Sequence, residues 1–399
     1  MMWETMPISS VCRGIYDGPH ATPPTAESGG VFLGIKNITA SGHFDFSDIR
    51  YISDSDMPKW TKRVKPQGGD IVFSYEATLN LYAQIPQNFY GCLGRRMGLI
   101  RPDPQKIDSS FLYYYFFSPQ WRAVIQSNTV TGATVDRISI LNFPQFPVAC
   151  PPLKIQKKIA SILSAYDGLI ENNRRQMKLL EEAAERLYKE WFVKRNINSC
   201  IHGVLTGNLK LTPKKLSSVI QFSNGYAFKS KTFTPKGHYK IVTIKNVQDS
   251  YFEGSDVDHI SQIPSAMPDH CILKEGDILL SLTGNVGRVC VVVGKDYLLN
   301  QRVGKVCTAY PAFSYYFLKS NEIQTKMVQL ANGSAQQNLS TKSIEQMIVN
   351  LPNEEYICIF EGIVQPFLNQ QIHLSYDNQL LQEARDRLLP KLMSGEVEV

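Results

Sequence analysis

Between residues 153 and 193 the apolar positions recur about every 3.5 residues. Stepping from Ile155 in alternate fours and threes reaches Ile159, Ile162, Tyr166, Leu169, Asn173, Gln176, Leu180, Ala183 and Leu187. All but Asn173 and Gln176 are apolar, the repeat of a helix that packs lengthwise on another helix. Pro151 and Pro152 stand just ahead of it, where proline is tolerated in a first turn. At 1.5 Å per residue, about 40 residues make a rod of roughly 60 Å. A helix that long with one apolar stripe needs a partner.

The chain contains one. LLQEARDRLL (380–389) repeats LLEEAAERLY (179–188) at an offset of 201. Carried over by that offset, the stripe falls on Tyr356, Phe360, Ile363, Phe367, Gln370, Leu374, Asp377, Leu381, Ala384 and Leu388, with Pro352 in the place of Pro152. The two helices are expected to pair antiparallel as a coiled coil. Pro366 interrupts the second stripe and predicts a kink or the end of a segment. Asn173, Gln176, Gln370 and Asp377 carry two readings: control of register by a buried polar residue, or local exposure where the pair widens.

The rest of the chain is one unit written twice, with short β-branched and aromatic runs between turn residues. Ser9-Ser10-Val11 answers Ser217-Ser218-Val219, and Asp17-Gly18 answers Asn224-Gly225. GIKNI (34–38) matches TIKNV (243–247), GDIVFS (69–74) matches GDILLS (276–281), and GRRMG (94–98) matches NQRVG (300–304). FLYYYF (111–116) pairs with FSYYFL (313–318), and Thr131-Gly132-Ala133 with Asn332-Gly333-Ser334. The expected class is α+β: a domain over 1–152, a helix over 153–195, a linker over 196–212, a second domain over 213–351, and a second helix with an acidic tail over 352–399. With approximate two-fold symmetry, the antiparallel helices would place one domain at each end, a dumbbell.

Composition changes this picture little. The chain has 399 residues, 43% of them hydrophobic and 20% charged, ordinary for globular protein. No apolar run approaches the roughly 20 residues of a membrane span, and MMWETMPISS lacks the layout of a signal peptide. The eight cysteines are scattered, with neither a CxxC pair nor zinc spacing, which fits reduced thiols in a cytoplasm and no metal. Net charge is +6. The basic excess lies in 151–350 and the last 50 or so residues are acidic. A polyanionic partner is compatible with this and not required by it.

In this order and twice over, these elements resemble the specificity subunit of a type I restriction–modification system. The carriers are Pro151-Pro152 with LKIQKKIASIL (153–163), DGLIENN (167–173), LLEEAAERLYKEWF (179–192), the paired GDI-x-x-S runs and the final RLLPKLMSGEVEV. At the offset of 200 that sets Pro352 in the place of Pro152, Tyr356 departs from the pattern, standing where the first helix has the glutamine of QKKI. The resemblance implies two target-recognition domains, each reading half of a split DNA site. It further implies helices that space the domains and dock two methyltransferase subunits, with restriction–translocase subunits completing the complex. The chain's end at a helix and acidic tail is taken to mean that the sequence is not a fragment of a fused polypeptide.

Catalytic motifs are missing. Cys150-Pro151-Pro152-Leu153 lacks the polar and aromatic residues with which an adenine methyltransferase holds a flipped base. There is no GxxxxGK[ST], HExxH, GxSxG or [DE]-x-Lys. No catalytic residue and no cofactor is therefore assigned. His270, beside Cys271, reads as a surface-turn histidine.

DNA reading needs cations and hydroxyls for phosphates and forked donors and acceptors for base edges. Lys36, Asn37, Lys245 and Asn246 follow short apolar strands, where a groove-rim role and an ordinary strand-end turn both stand. Arg95, Arg96, Gln301 and Arg302 lie between apolar segments, favouring a groove-facing role. The loops after GDI-x-x-S diverge, with Ser74 and Tyr75 in one and Thr283, Asn285 and Arg288 in the other, as readers of different half-sites should. Thr131, Thr134 and Arg137, and Ser334, Gln336 and Gln337, belong to stretches rich in small polar residues that serve as base or phosphate loops or as plain turns. The aromatic runs 111–117 and 313–317 are assigned to a core helix face rather than to base stacking.

The mechanism expected is positional. Half-sites about 34 Å apart lie on one face of the duplex, and the helix pair would make spacer length part of the specificity. The alternative is a non-enzymatic interaction or scaffold protein whose helices form a dimerisation rod. The modest basicity of residues 1–150 keeps that reading alive.

Overall fold

The structure is a computed structural model that describes residues 3–131, 135–196, 209–331 and 338–399. It divides into two units, Met1–Leu169 with Leu381–Val399, and Ile170–Leu380.

The first unit holds a four-stranded antiparallel sheet in the order Cys12–Asp17, Met97–Pro102, Ile71–Ser74, Tyr82–Gln84. Beside it, Gly30–Leu33 pairs antiparallel with Tyr51–Ile52 and parallel with Gly91–Leu93. The second unit repeats both sheets. Its four strands run Gln221–Asn224, Val303–Cys307, Ile278–Ser281, Val289–Val291. Its Tyr239–Val242 likewise has one antiparallel neighbour, Asp258–Ile260, and one parallel neighbour, Tyr297–Leu299. The repeat read from the sequence is a repeat of topology and direction.

The GDI-x-x-S runs earn their resemblance inside the fold. Ile71–Ser74 and Ile278–Ser281 are buried along their whole length, as interior strands are. Gly69 and Gly276 hold φ of +88° and +90°, a conformation that glycine adopts without steric cost. Asp70 then accepts from the backbone N–H of Gln67 (2.8 Å), and Asp277 from that of Lys274 (2.8 Å). Each aspartate also takes a cation from the neighbouring strand: Arg101 meets Asp70 with two bonds (2.9 and 2.8 Å), and Lys305 meets Asp277 at 2.7 Å.

The aromatic runs form the helices Ser109–Tyr115 and Pro311–Lys319, buried throughout except at their ends. They join each domain to the long helices, Leu153–Tyr188 and Glu354–Ser394. In the first unit Ile159, Leu163, Leu389 and Leu392 share one core with Phe111, Leu112 and Trp121. In the second, Ala184, Tyr188, Trp191, Phe360 and Val364 share a core with Phe313 and Tyr316. The core reading of these runs holds, and base stacking is excluded.

The helix stripe needs correcting. Leu169 is 52% exposed and Ile363 is 37% exposed, while Ile155, Ile162, Tyr166, Leu180, Leu187, Phe367, Leu381 and Leu388 are only half-buried; Ile159, Phe360 and Leu374 are buried. The most buried line lies one residue later on both helices: Gln156, Ala160, Leu163, Ile170, Ala184 and Tyr188 on the first, Ile357, Val364, Leu368, Asn378 and Leu389 on the second. An apolar count misses this phase because several of its members are polar and partnered. Asp167 receives Arg385 at 2.5 Å and the Tyr114 hydroxyl at 2.6 Å. Glu181 receives the Tyr316 hydroxyl at 2.8 Å and pairs with Lys319. Asn173 donates to Asn378 at 3.0 Å, and Gln156 Oε1 accepts from the Asp108 N–H at 2.7 Å.

The second correction concerns Pro366, through which the second helix continues. The ring sits on the exposed side, and the residue four before it, Gly362, has the freest of backbones against the clash that proline makes with the preceding turn.

Candidate nucleic-acid interface

Three separate loops converge at the same place in each domain. In the first, strand Ile71–Ser74 runs out at Tyr75, whose N–H donates to the Arg96 carbonyl (3.2 Å) and whose own carbonyl accepts from Ile138 N–H (2.8 Å). Glu76 bridges to Arg137, and Ala77 N–H donates to the Asp136 carbonyl at 2.9 Å. In the second domain Leu282 N–H donates to the Arg302 carbonyl (3.0 Å), Leu339 N–H to the Leu282 carbonyl (2.8 Å), and Thr283 bridges to Asn338. The backbone clasp is the same in both. It gathers Glu76, Arg96 and Arg137 onto one lip, and Thr283, Arg302 and Asn338 onto its counterpart.

Conformation at the lips is specific. Arg96 and Ala77 have φ of +65° and +70°, and Gly284 stands at +72° where the first domain has Ala77. A non-glycine residue pays roughly 1–2 kcal/mol for that region, and at Arg96 it turns the guanidinium onto Glu76, with Nε 3.0 Å from Oε1. On the second lip a shallow polar cleft of about 580 Å³ is lined by Asn224, Thr283, Gln301, Arg302 and Asn338, among others. Among the described residues, Thr283 Oγ1 is buried without a hydrogen-bond partner. Such an atom costs free energy until something satisfies it.

Several expected DNA contacts are structural instead. Asn37 is 2% exposed: its Oδ1 accepts from Gly34 N–H (3.0 Å), and its amide donates to the Asp45 and Asp48 carbonyls. Asn246 is fully buried and does the same with Thr243 N–H, Glu253 and Asp256. Each amide has spent its capacity on holding a turn, so neither reads a base. Ser74 is buried and accepts from Leu81 N–H (3.3 Å). Tyr75 is buried too, its hydroxyl donating to Asp17 at 2.8 Å. Burial, then the bond to Asp17, pushes its phenol well above the ordinary range, which leaves it a neutral donor.

The remaining candidates divide. Arg95 and Gln301 are exposed beside the lips, as are Thr131 and Asn285, while Lys36 pairs with Asp48 and Lys245 is exposed on its turn. Arg288 is half-buried, its guanidinium donating to Gln248 Oε1 at 2.6 Å. Thr134, Ser334, Gln336 and Gln337 lie outside the described residues. His270 is an exposed turn residue whose ring nitrogen meets the Asn224 carbonyl at 2.9 Å.

Sequence reasoning missed a basic group next to the first lip. Asp17, besides holding Tyr75, meets His20 at 2.8 Å and Arg63 at 3.3 Å, and these line a cleft of about 370 Å³ with Lys59, Trp60 and Lys62. The cation run around Trp60 was its visible signal. Lys229, Lys231 and Lys236 are exposed on the stretch that follows Asn224 in the second domain.

Two copies of one α+β domain, each clasping three loops into a polar lip and sharing its core with long helices, define a modular recognition protein. The family described as type I restriction modification DNA specificity domain matches residues 3–182 and 208–375, and the chain belongs to that family. It is 22% identical over 377 residues to the type I restriction enzyme MjaVIII specificity subunit of Methanocaldococcus jannaschii, covering 90% of this chain and 87% of that one. It is 22% identical to the HindI specificity subunit of Haemophilus influenzae, covering 89% and 91%. The crystal structure of the type I restriction–modification S subunit from M. genitalium has the same fold, with a TM-score of 0.60 at 17% identity over 98% of this chain and 96% of that chain.

Proposed function

We propose that this chain reads a bipartite DNA site with its two domains and holds partner subunits there, without itself transferring a group. DNA recognition is the family's role; the observation that carries it to particular residues is the clasp built twice, with Arg96 and Arg137 on one lip and Arg302 on the other. A forked guanidinium suits guanine and phosphate alike. The neighbouring Lys59, Lys62, Arg63 and Lys229, Lys231, Lys236 suit the backbone. The long helices would set the spacing between half-sites, and two methyltransferase subunits would dock on their outer faces, where Lys157, Lys158, Arg174, Arg175 and Lys178 are exposed. Restriction–translocase subunits would join the same complex, and a cytoplasm is its proposed location.

The test is duplex binding in the presence of the methyltransferase partner across a salt series. Each phosphate neutralised steepens the fall of log affinity with log salt by about 0.9. A slope of several units, reduced in Arg63→Ala and Lys62→Ala, supports the reading. Binding that ignores salt would return the chain to the scaffold alternative.

A further inference from the structure

The two lips share a backbone but not their chemistry. Asp17 stands where the second domain has Asn224, and Glu76 where it has Thr283. Arg96 and Arg302 occupy one place, each giving its carbonyl to the clasp. In the first domain that arginine is engaged by a carboxylate, Nε to Oε1 at 3.0 Å. In the second, Arg302 is exposed and has no acidic partner among the described residues, and its neighbour is the hydroxyl of Thr283 with its unpaired Oγ1.

A carboxylate on a DNA-facing lip is repelled by phosphates and needs an offset. Arg96 supplies part of it. A base amine supplies the rest, since Glu accepts from the N4 amine of cytosine in the major groove, while an arginine fork donates to O6 and N7 of guanine. Among the described residues, Glu76 keeps a second oxygen beyond the one that Arg96 Nε engages, and Arg96 keeps its two terminal nitrogens. Together they present an acceptor beside a forked donor, the complement of a cytosine–guanine pair. Arg302 with Thr283 offers the donor without the acceptor.

Resting on the DNA-reading function above, we propose that Glu76 and Thr283 are corresponding specificity-determining positions. Glu76 with Arg96 reads a cytosine–guanine pair in one half-site, whereas Thr283 leaves Arg302 to read guanine without scoring its partner's amine. The two half-sites then differ at the equivalent base pair because of one side chain.

The experiment is long-read sequencing of N6-methyladenine in DNA from cells that carry the chain and its methyltransferase, for the wild type, Glu76→Gln and Thr283→Glu. Glu76→Gln keeps the shape and removes the charge. It should relax one position of one half-site, cutting discrimination there roughly ten- to a hundredfold, with the other half and the spacer unchanged. Thr283→Glu should sharpen the equivalent position of the other half toward cytosine–guanine. An unchanged motif in both variants overturns the proposal, as does a uniform loss of methylation in Glu76→Gln by a chain that still melts normally. If Glu76→Gln fails to fold, Thr283→Glu alone decides. A wild type that yields no bipartite motif overturns the DNA-reading function beneath, a separate and recognisable failure.

Discussion

Asn37 and Asn246 occupy equivalent places, each after a short strand and each with a lysine before it, and in sequence each looks as much like a groove reader as a turn brace. Three side-chain hydrogen bonds at Asn37 and four at Asn246 make them braces. Asn37→Ala or Asn246→Ala should therefore cost about 1–3 kcal/mol in a denaturant melt, through the buried donors and acceptors left behind. The DNA motif should not change. Gly284 tests the conformational side of the lip: among the described residues a Cβ there meets nothing closer than 3.5 Å, so Gly284→Ala should cost only the left-handed term, about 1–2 kcal/mol. Thiol chemistry separates by burial. The Cys92 thiol is pushed up to about 12 by burial and should stay unlabelled by iodoacetamide at pH 8. Among the described cysteines, Cys307 and Cys358 are exposed and should label before the buried ones, as mass spectrometry of the native chain would show. Side chains that brace and side chains that read draw on the same residue types; only burial distinguishes them, and a single sequence does not state burial.

Both helices were legible in their length, pairing and common offset, while their phase was not. Counting apolar residues selects the stripe through Leu169, because the stripe through Ile170 contains Asp167, Glu181, Asn378 and Arg385, each polar and each partnered. The two phases give opposite expectations. Ile170, 2% exposed, should lose about 2–4 kcal/mol on truncation to alanine, and Leu169→Ala less than about 1 kcal/mol; paired urea melts decide between them. Asp167→Asn leaves the half-buried Arg385 with the exposed Asp386 as its remaining carboxylate and weakens the anchor of Tyr114. It should destabilise the chain by about 1–3 kcal/mol. The domains thus meet the helices twice through a tyrosine and a carboxylate, with Tyr114 and Tyr316 at matching places and Asp167 and Glu181 at unrelated ones. A repeat search finds the first pair and has no means of finding the second.

At the scale of the molecule, the duplication was the most legible feature of all. Sheet order and strand direction follow the sequence repeat, since GDI-x-x-S fixes an interior strand, its turn glycine and its charged anchor in one short run. What diverges between the copies is the lip, and there the loops 75–80 and 282–288 carry different chemistry on one backbone. Under this account specificity is modular, one domain to one half-site. The most direct measurement is the N6-methyladenine motif of cells expressing the chain with its methyltransferase, before and after residues 213–351 are exchanged for those of a relative. The account predicts a two-part motif with a fixed degenerate spacer, of which the exchange rewrites one half and leaves the other half intact. A single continuous motif, or an exchange that alters both halves at once, would contradict it.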